Sequence, residues 1–584
     1  MRPPHDDKHL FVAADGVVAL DLPLTLSDAI TVEAWVSTDT DGEDAIQPLV
    51  SAWAPKTAMT GFDAYDAGMT DGLDSTGFFG AVFDGRHVYF VPQHDTDSRH
   101  GKVLRYDTHC DFKDVAAWEA YDAGQTNGLN SKGYYGAVAD GRYITFIPRR
   151  DSEDFHSRIL RYDTAGGFKD PESWDAHDIG LPNSYQSAAF DGRYIYCCPG
   201  QQSVPADNQD DHDEGHSVTG MKQGMVPLCS GTMLRIDTHC DLQDPAGYAT
   251  YAAEGTDGLD TRDFDGACFD GRYVYYAPLS YGAALRYDSS LEFADPAAWS
   301  AYDARPLGLV RNVGAIYDGQ YVYYVPYGET EAVVRYDTRQ DFKEDKAWQS
   351  YDLTRTSGRR TLGYDGACCD GRFVYFIPYW DAGDDYHGEF LRYDTAGEFT
   401  DPAAWCAVDA GLTDGLKTVG FNAAAFDGRF IYGAPWNDGA RHPGLHGHGA
   451  VLRYDTIGDL GSFSLRYADC GHNGGLCAAL PGPRFLVATE AGVVSIAANR
   501  RLAPGPHYLA GVYDGRSITL YIDGVRANEQ PASGRIQASD IEITIGRLAA
   551  GAAVFPGTVK IARVSDCARD GDWIRTQHEE VKTT

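Results

Sequence analysis

The chain has 584 residues, and 85 acidic side chains against 49 basic ones leave a formal net charge of −36. That field repels a nucleic-acid backbone and no basic stretch overrides it, so nucleic-acid partners are not expected. No run of about 18 apolar residues offers a membrane span, and the N-terminal "MRPPHDDKHLFVAADG" has no apolar signal core, so a folded protein, cytoplasmic or exported by a signal-independent route, is expected.

Two strands come first. "AITVEAWVST" (29–38) alternates apolar and polar residues as a half-buried strand does, and "PLVSAW" (48–53) reads as a second. "GFDAYDAG" (61–68) follows, and its meaning depends on what comes after it.

From residue 78 onward a unit repeats. Aligned on an Asp-Gly pair there are seven copies, at Asp84, Asp140, Asp191, Asp270, Asp318, Asp370 and Asp427, spaced 48 to 79 residues apart. In each, two β-rich runs such as "FFGAVF" and "HVYFVP" flank the Asp-Gly, the composition of a two-residue type I′ hairpin. A third run, "KVLRYDT" or a near copy, and a fourth, "WEAYD", complete the unit. Four strands repeated seven times predict a seven-bladed β-propeller. The last unit ends at "AVLRYDT" (450–456) without a fourth strand, whereas Phe62 to Asp66 matches one almost residue for residue. The seventh blade is therefore expected to take its outer strand from upstream of the first, which closes the ring.

After the propeller come "SFSLRY", "RFLVAT", "GVVSIAA", "HYLAGVYDGRSITLYIDGV", "IEITIGR" and "TVKIARVSD", strand-like and separated by Gly, Pro and Asn turns. Together with "ITVEAWV" and "LVSAW" they resemble the successive strands of a laminin-G-like, concanavalin A-like jelly roll. The resemblance implies an all-β chain in which the propeller is inserted into a discontinuous β-sandwich. The domain reading is 1–56 for the first part of the jelly roll, 57–458 for the propeller and 459–584 for the second part. Insertion is tolerated where the inserted domain's ends lie close together.

Propeller ligands meet the central channel or the face carrying the loops from second to third strand. Five residues before each Asp-Gly stand Phe79, Tyr135, Gln186, Asp265, Val313, Asp365 and Asn422, and three before it is always Ala. Gln186, Asp265, Asp365 and Asn422 form the candidate polar group of the channel mouth, suited to sugar hydroxyls or to a hydrated calcium ion held by Asp265 and Asp365. In the second-to-third-strand loops, Tyr327, Tyr379, Trp380 and Trp436 are placed to offer flat apolar faces to a sugar ring. In the third unit this loop expands to residues 200–232, which include His212 and His216, the length of a lid or a partner contact. The Arg of Asp-Gly-Arg and the Asp of Arg-Tyr-Asp recur around the ring, which marks them as turn and inter-strand bonding groups; a catalyst is needed once.

Of the twelve Cys, those in propeller strands suit buried free thiols, while Cys470 and Cys477 ("CGHNGGLC") are either a small disulfide or two loop thiols. No nucleophile elbow, phosphate loop or zinc motif appears. The jelly roll resemblance implies recognition, so a carbohydrate-recognising or adhesive protein is the leading expectation, with a glycan or protein ligand. A glycoside hydrolase or lyase working at the channel mouth through Asp265 and Asp365 is the first alternative. A protein-interaction scaffold is the second. Oligomeric state is not legible.

Overall fold

The computed structural model describes residues 9–13, 28–38, 46–95, 97–205, 225–356, 361–383, 386–439, 447–457, 461–469, 478–479, 482–490, 492–498, 500–549 and 553–582. Seven antiparallel sheets form a ring. Blade 1 is Phe78–Phe83, His87–Pro92, Lys102–Asp107 and Trp118–Asp122, in that order from the channel outward, and blades 2 to 6 repeat it. Blade 7 is Phe421–Phe426, Phe430–Pro435 and Ala450–Asp455, completed by Phe62–Asp66 from the other end of the repeat. The inner strand of each blade lies against that of the next, and Phe421–Phe426 lies against Phe78–Phe83. Arg453 fastens the closure: it donates to Asp63 at 2.8 Å and stacks over Phe112 of blade 1 at 4.3 Å.

The repeated residues do repeated structural work. Oδ1 of Asp84 accepts the N–H of Arg86 and of His87, its Oδ2 accepts the Tyr89 hydroxyl, and Arg86 reaches Asp107 two strands away. The same set returns around the ring, with Thr145 in place of the Tyr in blade 2 and Gln320 in place of the Arg in blade 5. The hairpin differs from the expected type I′ turn. Only Gly has positive φ (Gly85 +104°), and Gly-Arg is the central pair, bracketed by the Asp84 N–H to His87 carbonyl bond. That is the type II′ pattern, with Asp outside the turn and free to cap it. On the outer strands Trp118, Trp174, Trp299, Trp348 and Trp405 each donate Nε1–H to a Phe carbonyl six residues back. Each blade so buries an aromatic stack against its neighbour.

The jelly roll has two sheets. One is His9–Ala13, Thr558–Ser565, Ile30–Thr38, Gly505–Tyr513, Ser517–Ile522 and Val525–Pro531; the other is Gly492–Ala497, Gly482–Thr489, Phe463–Asp469, Gln47–Ala52 and Thr544–Ile545. Strands from both sides of the propeller therefore share each sheet, and Lys56 N–H donates to the Thr456 carbonyl where the two connections pass, at 2.7 Å. Alternation decides which side chain goes where. Phe485 and Val487 point into the sandwich core, while Leu486 and Ala488 join Trp53, Phe373 and Tyr454 in a core shared with the propeller. Helix Gly571–Lys582 lies over the outer face of the first sheet, burying Ile574 beside Trp35 and Tyr508.

Candidate functional site at the channel mouth

The jelly roll occupies one end of the propeller. Arg484 donates to the Asp427 carbonyl in the Asp-Gly turn of blade 7 and lies over Phe83, Arg501 lies over Phe269, and Ile46 and Ala553 sit against Gly371. All of these are at the Asp-Gly end. At that end Ala478–Ala479 also pairs in parallel with Val138 and Ala139 of the blade 2 inner strand, so a jelly-roll segment enters the channel from below. The other end is where the second-to-third-strand loops begin. Phe264 pairs with Pro278 there, which places Asp265 at that end of its strand.

A bulge aims these residues. In all seven blades the register of the inner strand skips between residues six and three before the Asp, and the residue four before it has left-handed φ. Five blades supply Gly at this position, Gly266 at +92° and Gly366 at +73° among them, but blade 3 has Ser187 at +72° and blade 7 has Ala423 at +56°. Such a bulge twists the strand and re-aims the preceding side chain. The recurring Gly four residues before the Asp is the sequence signal for this bulge. The Ala one residue on is buried in every blade, which is why nothing larger stands there.

The candidate polar residues come together, all 1–2 % exposed. Asp265 accepts the Tyr135 hydroxyl at 2.9 Å, across blade 3. Asn422 donates to Asp365 at 2.8 Å, and Gln186 donates to Asp263 and to the Phe264 carbonyl, both at 3.3 Å. One oxygen each of Asp265, Asp365 and Asn422 has no hydrogen-bond partner among the described residues. Burial pushes the Asp265 carboxyl up to about 8, opposed by the Tyr135 bond and by Arg149. Asp365 is driven well above the carboxylate range by burial and by Asp265. The two acids are thus close enough to feel one another. Among the described residues no group of three or more His, Cys, Asp or Glu is placed to hold a metal ion.

The aromatic residues divide. Trp436 is 3 % exposed and packs on Phe79 with ring centroids 4.2 Å apart, and Phe79 in turn meets Tyr135 edge-on at 4.4 Å. Its ring is a wall of the mouth and not an open platform, because Phe79 takes the face that a sugar would use. Tyr379 is likewise buried, against Tyr327 and Tyr386. Trp380 remains partly exposed beside Tyr327, its Nε1–H held by the Gly383 carbonyl.

Sequence reasoning missed the histidines that open the third strands. His100, His156 and His387 each bond a carbonyl 24 residues back, and with His448 each ring lies edge-on to the first aromatic of its blade. Burial holds His100, His156 and His448 down at about 4, so they are neutral packing groups. The blade 3 insertion starts as an extended hairpin, Tyr194–Pro205 with Met225–Cys229, while His212 and His216 lie outside the described residues. So do Cys470 and Cys477; the other ten cysteines are free thiols, six of them buried.

Residues 458–575 match the family described as the concanavalin A-like lectin/glucanases superfamily. No curated protein sequence matches the chain. Among solved structures, a chain of the mitotic checkpoint complex is 8 % identical, with 69 % of this chain and 98 % of that one covered at a TM-score of 0.39. A functionally unknown protein from Desulfotomaculum acetoxidans DSM 771 is 12 % identical, covering 62 % and 100 % at 0.34. The Cps50 (Swd1) β-propeller domain of Myceliophteria thermophila is 8 % identical, covering 66 % and 97 % at 0.36. No described helix is long and apolar enough to cross a membrane.

Proposed function

We propose that this protein binds carbohydrate at the loop-bearing mouth of the propeller channel. The observation that carries the reading is the pairing of three donor-less oxygens, on Asp265, Asp365 and Asn422, with an aromatic wall of Phe79, Tyr135 and Tyr327 at the end of the channel away from the jelly roll. A buried acceptor without a donor costs about 1–3 kcal/mol, which a ligand hydroxyl would recover. Rings beside acceptors are the mix that a sugar, with its apolar face and hydroxyl edge, satisfies. The family match downstream of the propeller supports recognition as the general role. The test is binding of the full chain to a broad glycan panel, with calcium and then with chelator. Retained glycan that is lost in Asp365→Asn supports the reading, and loss on chelation adds calcium at Asp265 and Asp365. A blank panel under both conditions removes it.

A second reading, glycoside hydrolysis or lysis, draws on one observation: Asp265 is a buried carboxyl with the Tyr135 phenol on it, and burial pushes it up to about 8, the direction a general acid needs. It predicts turnover of a polysaccharide that Asp265→Asn abolishes.

A further inference from the structure

Three arginines sit together at the rim of the same mouth. Arg99 comes from the blade 1 loop, whose His94 and Arg99 form a β-bridge; Arg149 and Arg150 come from the blade 2 loop, bridged at Arg150 and Phe155. The Arg149 and Arg150 guanidinium groups lie 5.3 and 5.7 Å from the Phe155 ring centre, and Arg149 is 5.7 Å from that of Tyr135. Arg99 and Arg149 are partly exposed and Arg150 is buried.

The partners of the first two are neutral: Arg99 donates to the Gln93 side-chain carbonyl and Arg149 to the Ser184 hydroxyl. Among the described residues neither Arg99 nor Arg149 has a carboxylate within ion-pair distance, although acidic side chains outnumber basic ones 85 to 49. The acids nearby favour the charged arginines, Asp151 and Asp154 acting on Arg150 and Asp263 and Asp265 on Arg149, but they carry other bonds too. Asp151 binds Arg158, Asn130 and two backbone N–H groups; Asp154 accepts the Ser203 hydroxyl; Asp265 accepts Tyr135. Burial and mutual repulsion hold Arg99 and Arg150 down, at about 9 and about 10. Gathering like charges with no carboxylate paired to Arg99 or Arg149 costs stability in the free protein, and a forked guanidinium group is the donor that recovers most from an oxyanion.

We propose that Arg99, Arg149 and Arg150 form an oxyanion subsite, so that the ligand of the channel mouth is an acidic saccharide whose carboxylate or sulfate group sits on the arginines while its hydroxyls face Asp265, Asp365 and Asn422. The inference rests on the carbohydrate reading for the second half of that ligand and on the arginines alone for the first. Arg149 joins the halves, since it faces the Tyr135 ring whose hydroxyl is on Asp265.

The experiment is titration calorimetry and thermal shift on the full chain at constant ionic strength. The probes are glucuronate and galacturonate oligomers, a sulfated oligosaccharide, inorganic sulfate and neutral glucose oligomers, with chloride as the reference. Arg99→Gln and Arg149→Gln are compared with Arg142→Gln, an exposed ion-pair arginine at the Asp-Gly end. The acidic saccharides are expected to bind, and the two rim variants to weaken them at least about tenfold, the scale of one lost charge-assisted bond. Arg142→Gln leaves binding unchanged. The free rim variants should melt no lower than wild type, because a repelling charge has gone; a purely structural arginine would lower Tm. Which acidic probe wins separates carboxylate from sulfate. Inorganic sulfate binding through the arginines with no saccharide response upholds the subsite and removes the carbohydrate reading. Equal binding of neutral and acidic oligomers, unchanged in both variants, overturns the subsite and leaves that reading standing. No response to any anion above chloride, or a lower Tm in both variants with binding unaltered, overturns it as well.

Discussion

Replacing Asp265 with Asn tests the electrostatics of the mouth without altering its shape. Asn keeps an oxygen to accept the Tyr135 hydroxyl and cannot ionise. In the folded protein the carboxyl is pushed up to about 8 by burial, while an unfolded Asp titrates near 4. The folded state therefore holds this proton more tightly than the unfolded state. A raised carboxyl favours folding least when pH is high: its contribution falls as pH climbs from about 4 to about 8 and is level above that. Four units at about 1.4 kcal/mol each set a ceiling of about 6 kcal/mol, or roughly 7 °C in Tm for a propeller of about 400 residues melting as one unit. The assay is Tm against pH from 4 to 9 for wild type and Asp265→Asn, taken as a difference so that the titration of the other acids cancels, Asp365 excepted because Asp265 itself raises it. The variant should draw level with wild type or fall slightly below it at pH 4 and gain steadily to pH 8. Parallel curves would show that Asp265 is ionised at neutral pH, and the account of a buried, protonated mouth would be wrong.

The bulge makes opposite predictions for two blades. Ser187→Gly should raise stability by about 0.5–1 kcal/mol by relieving left-handed strain, and Gly266→Ala should lower it by about 1–2 kcal/mol, both read by thermal melting. Trp436→Ala should cost about 3 kcal/mol through lost packing on Phe79, so any effect on glycan binding comes with a lower Tm, whereas Trp380→Ala should leave stability within about 0.5 kcal/mol of wild type. Arg484→Met removes the buried bond to the Asp427 carbonyl and the contact with Phe83, at about 2–3 kcal/mol. Calorimetry should then resolve jelly roll and propeller as two transitions; a single one would mean that the shared core around Trp53 couples the domains without it.

The architecture was legible because it is written in period and repetition. Asp-Gly at seven positions, an Ala always three residues before it, and an orphan "FDAYD" upstream of the first unit are local facts that admit one ring and one way of closing it. The alternation in "ITVEAWV" marked a strand, and Val32 and Ala34 do face the sandwich core, but the expected half-burial does not hold: Glu33 and Trp35 on the other face are buried as well, beneath the C-terminal helix. Candidate residues at the mouth also followed from register, since a position counted from the turn lands at the same height in every blade. Tertiary structure alone decided what meets across the channel. Tyr135 and Asp265 lie 130 residues apart and Asn422 and Asp365 lie 57 apart, and no spacing rule joins them, because the ring and not the strand sets those distances. Whether an aromatic is a platform or a wall was equally beyond the sequence, as Trp436 shows, since it depends on which neighbour reaches the ring first. The arginine rim is not legible in "SRH" and "PRR", because their charges matter only where two loops from adjacent blades bring them together and, among the described residues, no carboxylate pairs with Arg99 or Arg149.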